Sequence, residues 1–248
     1  PQALARLASV PLTARRPMQG SVSGRHASPH RGASVEFAEY RRYVPGDDLR
    51  RLHWRALGRT DRYYVKEFAA DTNLRCALVI DASASMGFGS GAHTKLDYAR
   101  RLAGTLGYLA GAQGDAVGLT CISDRVATDI PPRRNPAHLV QVFDALETIR
   151  PAGATGLVDG LHQVAETLAG RALVVIVSDF FVDPRQLRGA WEHLQHRQHD
   201  VIALHLLDPA ELEFAFRRPM RFVDIEGHAA VLAEPNEIRG RYLAALNE

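Results

Sequence analysis

The chain has 248 residues, 46% of them hydrophobic and 23% charged, enough for one large core or for a core domain plus an appendage; the second arrangement is expected. No apolar run approaches the roughly 18–20 residues that span a bilayer, and no stretch has the form of a signal peptide, so the expectation is a cytoplasmic protein, at most membrane-peripheral. The chain begins at Pro1, which leaves an upstream anchor open. The net charge of +2 hides an asymmetry: residues 1–70 carry 13 Lys+Arg against 6 Asp+Glu, and the remainder 17 against 22. Opposed signs either hold two parts of a chain together or offer a basic face to an acidic partner. Cys76 and Cys121 give no disulfide framework and no zinc spacing, so two reduced, structural thiols are expected.

Residues 1 to about 20 read as an arm or short helix. The Gly-, Ser-, His- and Arg-rich stretch that follows contains His26, Ser28, His30 and Arg31, which could bind an anion or form a solvated loop. Charge alternates with aromatics from Glu36 to Tyr43. Pro45 and Gly46 fit a type II turn, and Asp47 and Asp48 then cap a short helix over Leu49–Leu57. These paired carboxylates could serve as acid and base or as metal ligands, but flanking Arg41, Arg42, Arg50, Arg51 and Arg55 favour caps and salt bridges. Tyr63 to Phe68 alternates as an edge strand with Val65 and Phe68 inward. The expected division is an appendage over 1–70 and a second domain over 71–248.

Ala77 to Ile80 has no polar face, as expected of a central parallel strand covered on both sides. It stops at Asp81, after which Ser83 and Ser85 follow at alternate positions. Three such oxygen donors suit a hard divalent cation; the plainer reading is a helix cap followed by a serine-rich loop. Lys95–Ala112 carries an apolar stripe with small residues, a crossover helix. Ala116–Ile122 reads as the next strand and Ala127–Ile130 as a short returning edge strand. Asn135-Pro136 starts a helix. Thr155 lies in Gly153-Ala154-Thr155-Gly156, opening another helix, and Ala172–Val177 is an apolar strand ending near Asp179. Asp183-Pro184 starts a further helix, Val201–Leu207 is a strand, and Phe222–Ile225 with Ala229–Leu232 forms a hairpin before a last helix from Pro235. Strand–helix alternation implies a Rossmann-like, doubly wound, mostly parallel α/β sheet with right-handed crossovers. Ligands of such sheets bind at the carboxyl ends of strands.

Several motifs in this order carry a resemblance. Gly24-x-His26-x-Ser28, Glu36-Phe37, Tyr43-x-Pro45-Gly46-Asp47-Asp48-x-Arg50, Trp54-Arg55, Arg59-Thr60, Val65-Lys66-x-Phe68 and Asp81-x-Ser83-x-Ser85 resemble the bacterial domain-of-unknown-function family fifty-eight. His53 departs from the acidic residue expected before Trp54. Members of that family carry a von Willebrand factor type A-like domain and often accompany MoxR-type AAA ATPases. The resemblance implies strand order 3-2-1-4-5-6 and a metal-ion-dependent adhesion site (MIDAS) at Asp81, Ser83, Ser85, Thr155 and Asp179, holding Mg2+, with Mn2+ or Ca2+ as substitutes. It also implies a non-catalytic module that recognises a carboxylate of a partner protein, and a MoxR-type AAA ATPase as partner in complex assembly or maturation. His26, Ser28, Asp47, Asp48, Arg50, Trp54 and Arg55 form a second candidate set for partner or anion binding.

Two other classes compete. A metal-dependent hydrolase or phosphoryl-transfer enzyme could use the same sheet edge, with His93 or His162 as base. However, Ser83 stands where a haloacid-dehalogenase-like phosphatase needs a second Asp, and neither a phosphate loop nor a Gly-x-Ser-x-Gly elbow is present. Nucleic-acid binding by the Arg-rich amino-terminal segment is weakened by interleaved Asp and Glu.

Overall fold

The computed structural model describes residues 23–27, 37–43, 63–68, 71–72, 74–214, 216, 218–227 and 230–246. Within the expected appendage, β2 (Phe37–Arg42) pairs antiparallel with β3 (Tyr64–Phe68), while β1 (Ser23–Ala27) pairs antiparallel with β4 (Asp71–Thr72), just beyond the expected boundary. Tyr64–Phe68 thus forms the expected strand, in a two-stranded ladder, and Val65 is buried. Of the second candidate set, His26 is described only as backbone of β1. Ser28, Asp47, Asp48, Arg50, Trp54 and Arg55 lie outside the described residues, as do the Pro45-Gly46 turn and the Leu49–Leu57 helix.

The central sheet contains β5 (Arg75–Asp81), β6 (Ala116–Ile122), β7 (Val126–Arg133), β8 (Leu173–Ser178) and β9 (Asp200–His205) in the order β7-β6-β5-β8-β9. All neighbours are parallel except β6 and β7. β6 and β8 are buried along their whole length, as the unbroken apolar runs required. β7 is longer than the expected Ala127–Ile130, runs through Pro131 and Pro132, and alternates in burial like an edge strand with one wet face.

Helices cover both faces. α1 (Lys95–Ala112) is fixed at its start by a capping box between Thr94 and Asp97. α2 (Pro136–Thr148) begins on Asn135, whose side chain accepts from the Ala137 amide. Both pack on the face that presents Cys76, Leu78, Ile80, Val117, Leu119 and Val175. α3 (Leu157–Thr167) and α4 (Pro184–His196, capped by Asp183) pack on the opposite face, against Ala77, Val79, Val174 and Ile176. The alternating inward and outward residues of β5 therefore enter two separate cores, and strand order reverses beside it.

The order corresponds to 3-2-1-4-5; the expected sixth strand is not part of the sheet among the described residues. After β9 the chain makes only the five-residue helix α5 (Pro209–Glu213), and β10 (Met220–Val223) and β11 (Ala230–Ala233) pair with each other before α6 (Pro235–Leu246). Strands joined by a short turn pair with one another, as β10 and β11 do. Cys76 and Cys121 are buried and free. Burial, with Asp115 adding to it at Cys76, pushes both thiols up to about 12, so neither is a thiolate at neutral pH.

Candidate metal centre

Asp81 is the last residue of β5, and its side chain is buried. One carboxylate oxygen accepts from the Ser83 amide at 2.9 Å, the turn geometry that Asp-x-Ser favours. The other accepts from the Ser178 hydroxyl at 2.6 Å. Ser83 begins the 3-10 turn Ala84–Gly87, and its hydroxyl lies 3.1 Å from that of Ser85. Asp81, Ser83 and Ser85 are all buried. Burial, above all, raises the Asp81 carboxyl from its ordinary range. Hydrogen bonds from Ser178 and Ser83 oppose this, and the Asp179 carboxylate reinforces it. No cation pairs with Asp81 among the described residues.

Backbone bonds bring the Thr155 loop to this turn. The Ala84 amide donates to Gly153 O at 2.9 Å, Ala152 to Ala82 O at 2.9 Å, and Gly156 to Ser123 O at 2.5 Å. Gly156 is required there, because a Cβ would stand 2.3 Å from Asp124 O and 2.6 Å from Asp124 C. Gly153 supplies the loop's left-handed residue, with φ +73. The Thr155 hydroxyl accepts weakly from the Leu157 amide, at 3.4 Å.

Asp179 follows β8 immediately, one residue beyond the strand end, and is buried. It is not a free carboxylate. Lys95 Nζ donates to its Oδ2 at 2.8 Å and to Glu211 at 2.7 Å, and the same ammonium lies 5.0 Å from the Phe181 ring centroid. Lys95 is itself buried at the first position of α1. The structure thus brings together the loops of Asp81, Ser83, Ser85, Thr155 and Asp179 at the carboxyl ends of β5 and β8. It adds three residues that sequence reasoning missed: Lys95, Ser178 and Glu226, whose Oε2 accepts from the Thr155 amide at 2.9 Å. No local pattern marks them, since each bond joins positions 71 to 116 residues apart.

The glycine-rich segment after the serine turn, residues 87–91, is tied down. Ser90 donates from its amide and its hydroxyl to Asp208, the cap of α5. Burial acts against ionisation of Asp208, but these bonds outweigh it and hold its carboxyl below the usual range. His93 contacts Arg101, and His162 Nδ1 lies 2.9 Å from His193 Nδ1 between α3 and α4. Both candidate bases are thus engaged with partners on helices.

The donor set is chemically suited to a hard cation: carboxylates and hydroxyls, with no thiol or imidazole among them. No three His, Cys, Asp or Glu side chains converge as a metal cluster among the described residues, so a cation here depends on the serine and threonine oxygens. Two observations favour one. Asp81 is buried without a counter-ion, and Glu226 Oε1 is buried with no hydrogen-bond partner among the described residues.

Comparison with known proteins places the chain in context. The family model described as "Protein of unknown function DUF58" matches residues 39–248. The uncharacterized protein Rv1480 of Mycobacterium tuberculosis is 30% identical over 216 residues, which cover 86% of this chain and 68% of that protein. Among solved structures, the conserved hypothetical protein BatB of Bacteroides thetaiotaomicron is 17% identical with a TM-score of 0.50, over 70% of this chain and 86% of that one. An aerotolerance-related membrane protein of Bacteroides fragilis is 20% identical with a TM-score of 0.49, over 70% of this chain and 88% of that one. The fold is that of a von Willebrand factor A-type domain. No helix among the described residues is long and apolar enough to cross a membrane.

Proposed function

The chain belongs to the DUF58 family, and on that premise we propose that it is a non-catalytic, metal-dependent protein-interaction module of the MIDAS type. Asp81, Ser83, Ser85, Thr155 and Asp179 would hold Mg2+, with Mn2+ or Ca2+ able to replace it. When bound, the ion supplies the positive charge through which an acidic side chain of a partner is recognised. Family membership is what points to a MoxR-type AAA ATPase as that partner, with this chain as its adaptor in complex assembly or maturation. The observation that carries the reading is the buried Asp81 carboxylate, held among the described residues by neutral donors alone, beside two buried serine hydroxyls.

The chain's own residues have separable tasks. The Ser178 hydroxyl and the Ser83 amide fix the Asp81 carboxylate in one orientation. Ser178 is in turn oriented by accepting from the Phe180 amide at 2.8 Å. Lys95 neutralises Asp179 and ties it to α5, so the charge left for a cation comes mainly from Asp81.

Thermal unfolding of wild type and Asp81→Asn tests the reading. Mg2+ at about 100 times its dissociation constant is expected to stabilise wild type by about 2.7 kcal/mol, a rise of roughly 5–10 °C for a chain of this length. Asp81→Asn should show no rise. Asn keeps both contacts, with its oxygen accepting from Ser83 and its amide donating to Ser178. Because burial raises the folded-state pKa of Asp81, its contribution to stability is full below the unfolded value and is lost as pH rises through the folded one. Ionising Asp81 without metal is therefore a cost, and Asp81→Asn should hold or raise the metal-free melting temperature. A wild-type protein indifferent to Mg2+, Mn2+ and Ca2+ at millimolar concentrations would sink the proposal.

A further inference from the structure

We propose that Glu226, on the turn between β10 and β11, is a carboxylate ligand of this centre supplied by the chain itself, standing where a partner's acidic side chain would otherwise enter. The inference rests on the metal-dependent reading above and specifies what fills the site in the free protein.

Four observations carry it. The Glu226 carboxylate reaches across 71 residues of sequence to accept from the amide of Thr155, itself a candidate ligand, at 2.9 Å. Its second oxygen is buried and receives no hydrogen bond from any described residue. A carboxylate oxygen withdrawn from water and given no donor is unfavourable unless a cation meets it. The ammonium of Lys95 does not do so, being engaged by Asp179 and Glu211. Finally, Glu226 and Ser85 line one cleft together with Phe181, Phe214, Phe222 and Tyr242, so the Glu226 turn and the serine turn border a shared space.

The placement is built rather than incidental. Asp224 accepts from the Glu226 amide at 3.0 Å and sets the turn that projects the side chain. The hairpin behind it is held by aromatic contacts: Phe214 stacks on Phe222 with centroids 5.7 Å apart and meets Tyr242 of α6 at 4.6 Å. β10 and β11 pair only with each other, and Val223 and Leu232 are exposed. Among the described residues the hairpin is therefore no part of the central sheet, and it meets the site through the bond from Thr155 to Glu226.

The test uses the full chain with Mn2+ as the probe, comparing wild type, Asp81→Asn and Glu226→Gln. Glutamine keeps the hydrogen bond to the Thr155 amide through its side-chain oxygen and removes the charge, so the metal-free melting temperature should hold or rise. Calorimetry is expected to show Mn2+ binding weakened about tenfold or more in Glu226→Gln, and water-proton relaxation to show about one additional water on the bound ion. Amide exchange in the 224–227 turn should slow on adding Mn2+ to wild type but not to the variant. Unchanged affinity and hydration in Glu226→Gln, with binding lost in Asp81→Asn, would overturn the internal ligand and leave the metal site standing. Absence of Mn2+ binding by wild type would overturn both.

Discussion

Lys95→Met is expected to lower stability by about 3–5 kcal/mol, the usual cost of removing one member of a buried ion pair and leaving the other uncompensated. Two carboxylates lose their counter-ion at once: Asp179, fully buried, and Glu211, mostly buried. The melting temperature should fall by roughly 6–20 °C. Methionine preserves the length and apolar stem of the side chain, so the loss reports charge rather than a cavity. A double-mutant cycle separates the contributions: Lys95→Met with Asp179→Asn should cost clearly less than the two single changes added together. The metal reading makes a further demand on this variant. With the ammonium gone, no cation among the described residues pairs with Asp179, so Mg2+ should stabilise Lys95→Met by more than it stabilises wild type. An equal or smaller metal response would mean that Asp179 takes no part in cation binding.

Gly156→Ala is the second large effect. The added methyl would sit against the backbone of Ser123 and Asp124, at 2.3 Å from one carbonyl oxygen and 2.9 Å from another. Neither side can yield as a flexible side chain would, because the Gly156 amide is bonded to Ser123 O across the same contact. Overpacking of this kind costs about 1–3 kcal/mol, and more where backbone must move. The informative result is functional: the variant lacks no ligand, yet the Mg2+-dependent rise in melting temperature should shrink, because Thr155 is displaced with its loop. Gly189→Ala, with nothing within 4 Å of the new methyl, is the control and should leave the metal response intact. A Gly156→Ala protein with a full response would show that Thr155 need not be held at this position.

Local signals in the sequence covered most of the framework. Helix α1 begins and ends where its apolar stripe does, and α2 and α4 start on the Asn135-Pro136 and Asp183-Pro184 caps. The buried strands were visible as unbroken apolar runs, and Asp81 and Asp179 fall at the strand ends where such sheets place ligands. What escaped was everything fixed by contacts distant in sequence. Lys95 reads as an ordinary first-turn residue, since nothing near it announces two carboxylates 84 and 116 positions away. Ser178 closes an apolar strand like any small polar residue, and Glu226 sits in a hairpin turn of ordinary composition. The expected sixth strand came from the resemblance rather than from any segment of the sequence, whose last two strands were legible as the hairpin they form.

The pair Pro131-Pro132 in β7 has a consequence for self-association. They stand at the irregularity where β7 passes Gly118 of β6, whose missing side chain leaves room for them: a Cβ there would lie 2.7 Å from Ile130 O. Neither proline carries an amide donor, so this stretch of β7 has none to offer to a neighbouring strand. That flank offers an incomplete template to any foreign strand, a common safeguard against polymerisation of open sheets. Runaway growth of the sheet is thereby discouraged at β7, leaving β9, with Ile202 exposed at its surface, as the flank where solubility has to be defended by other means.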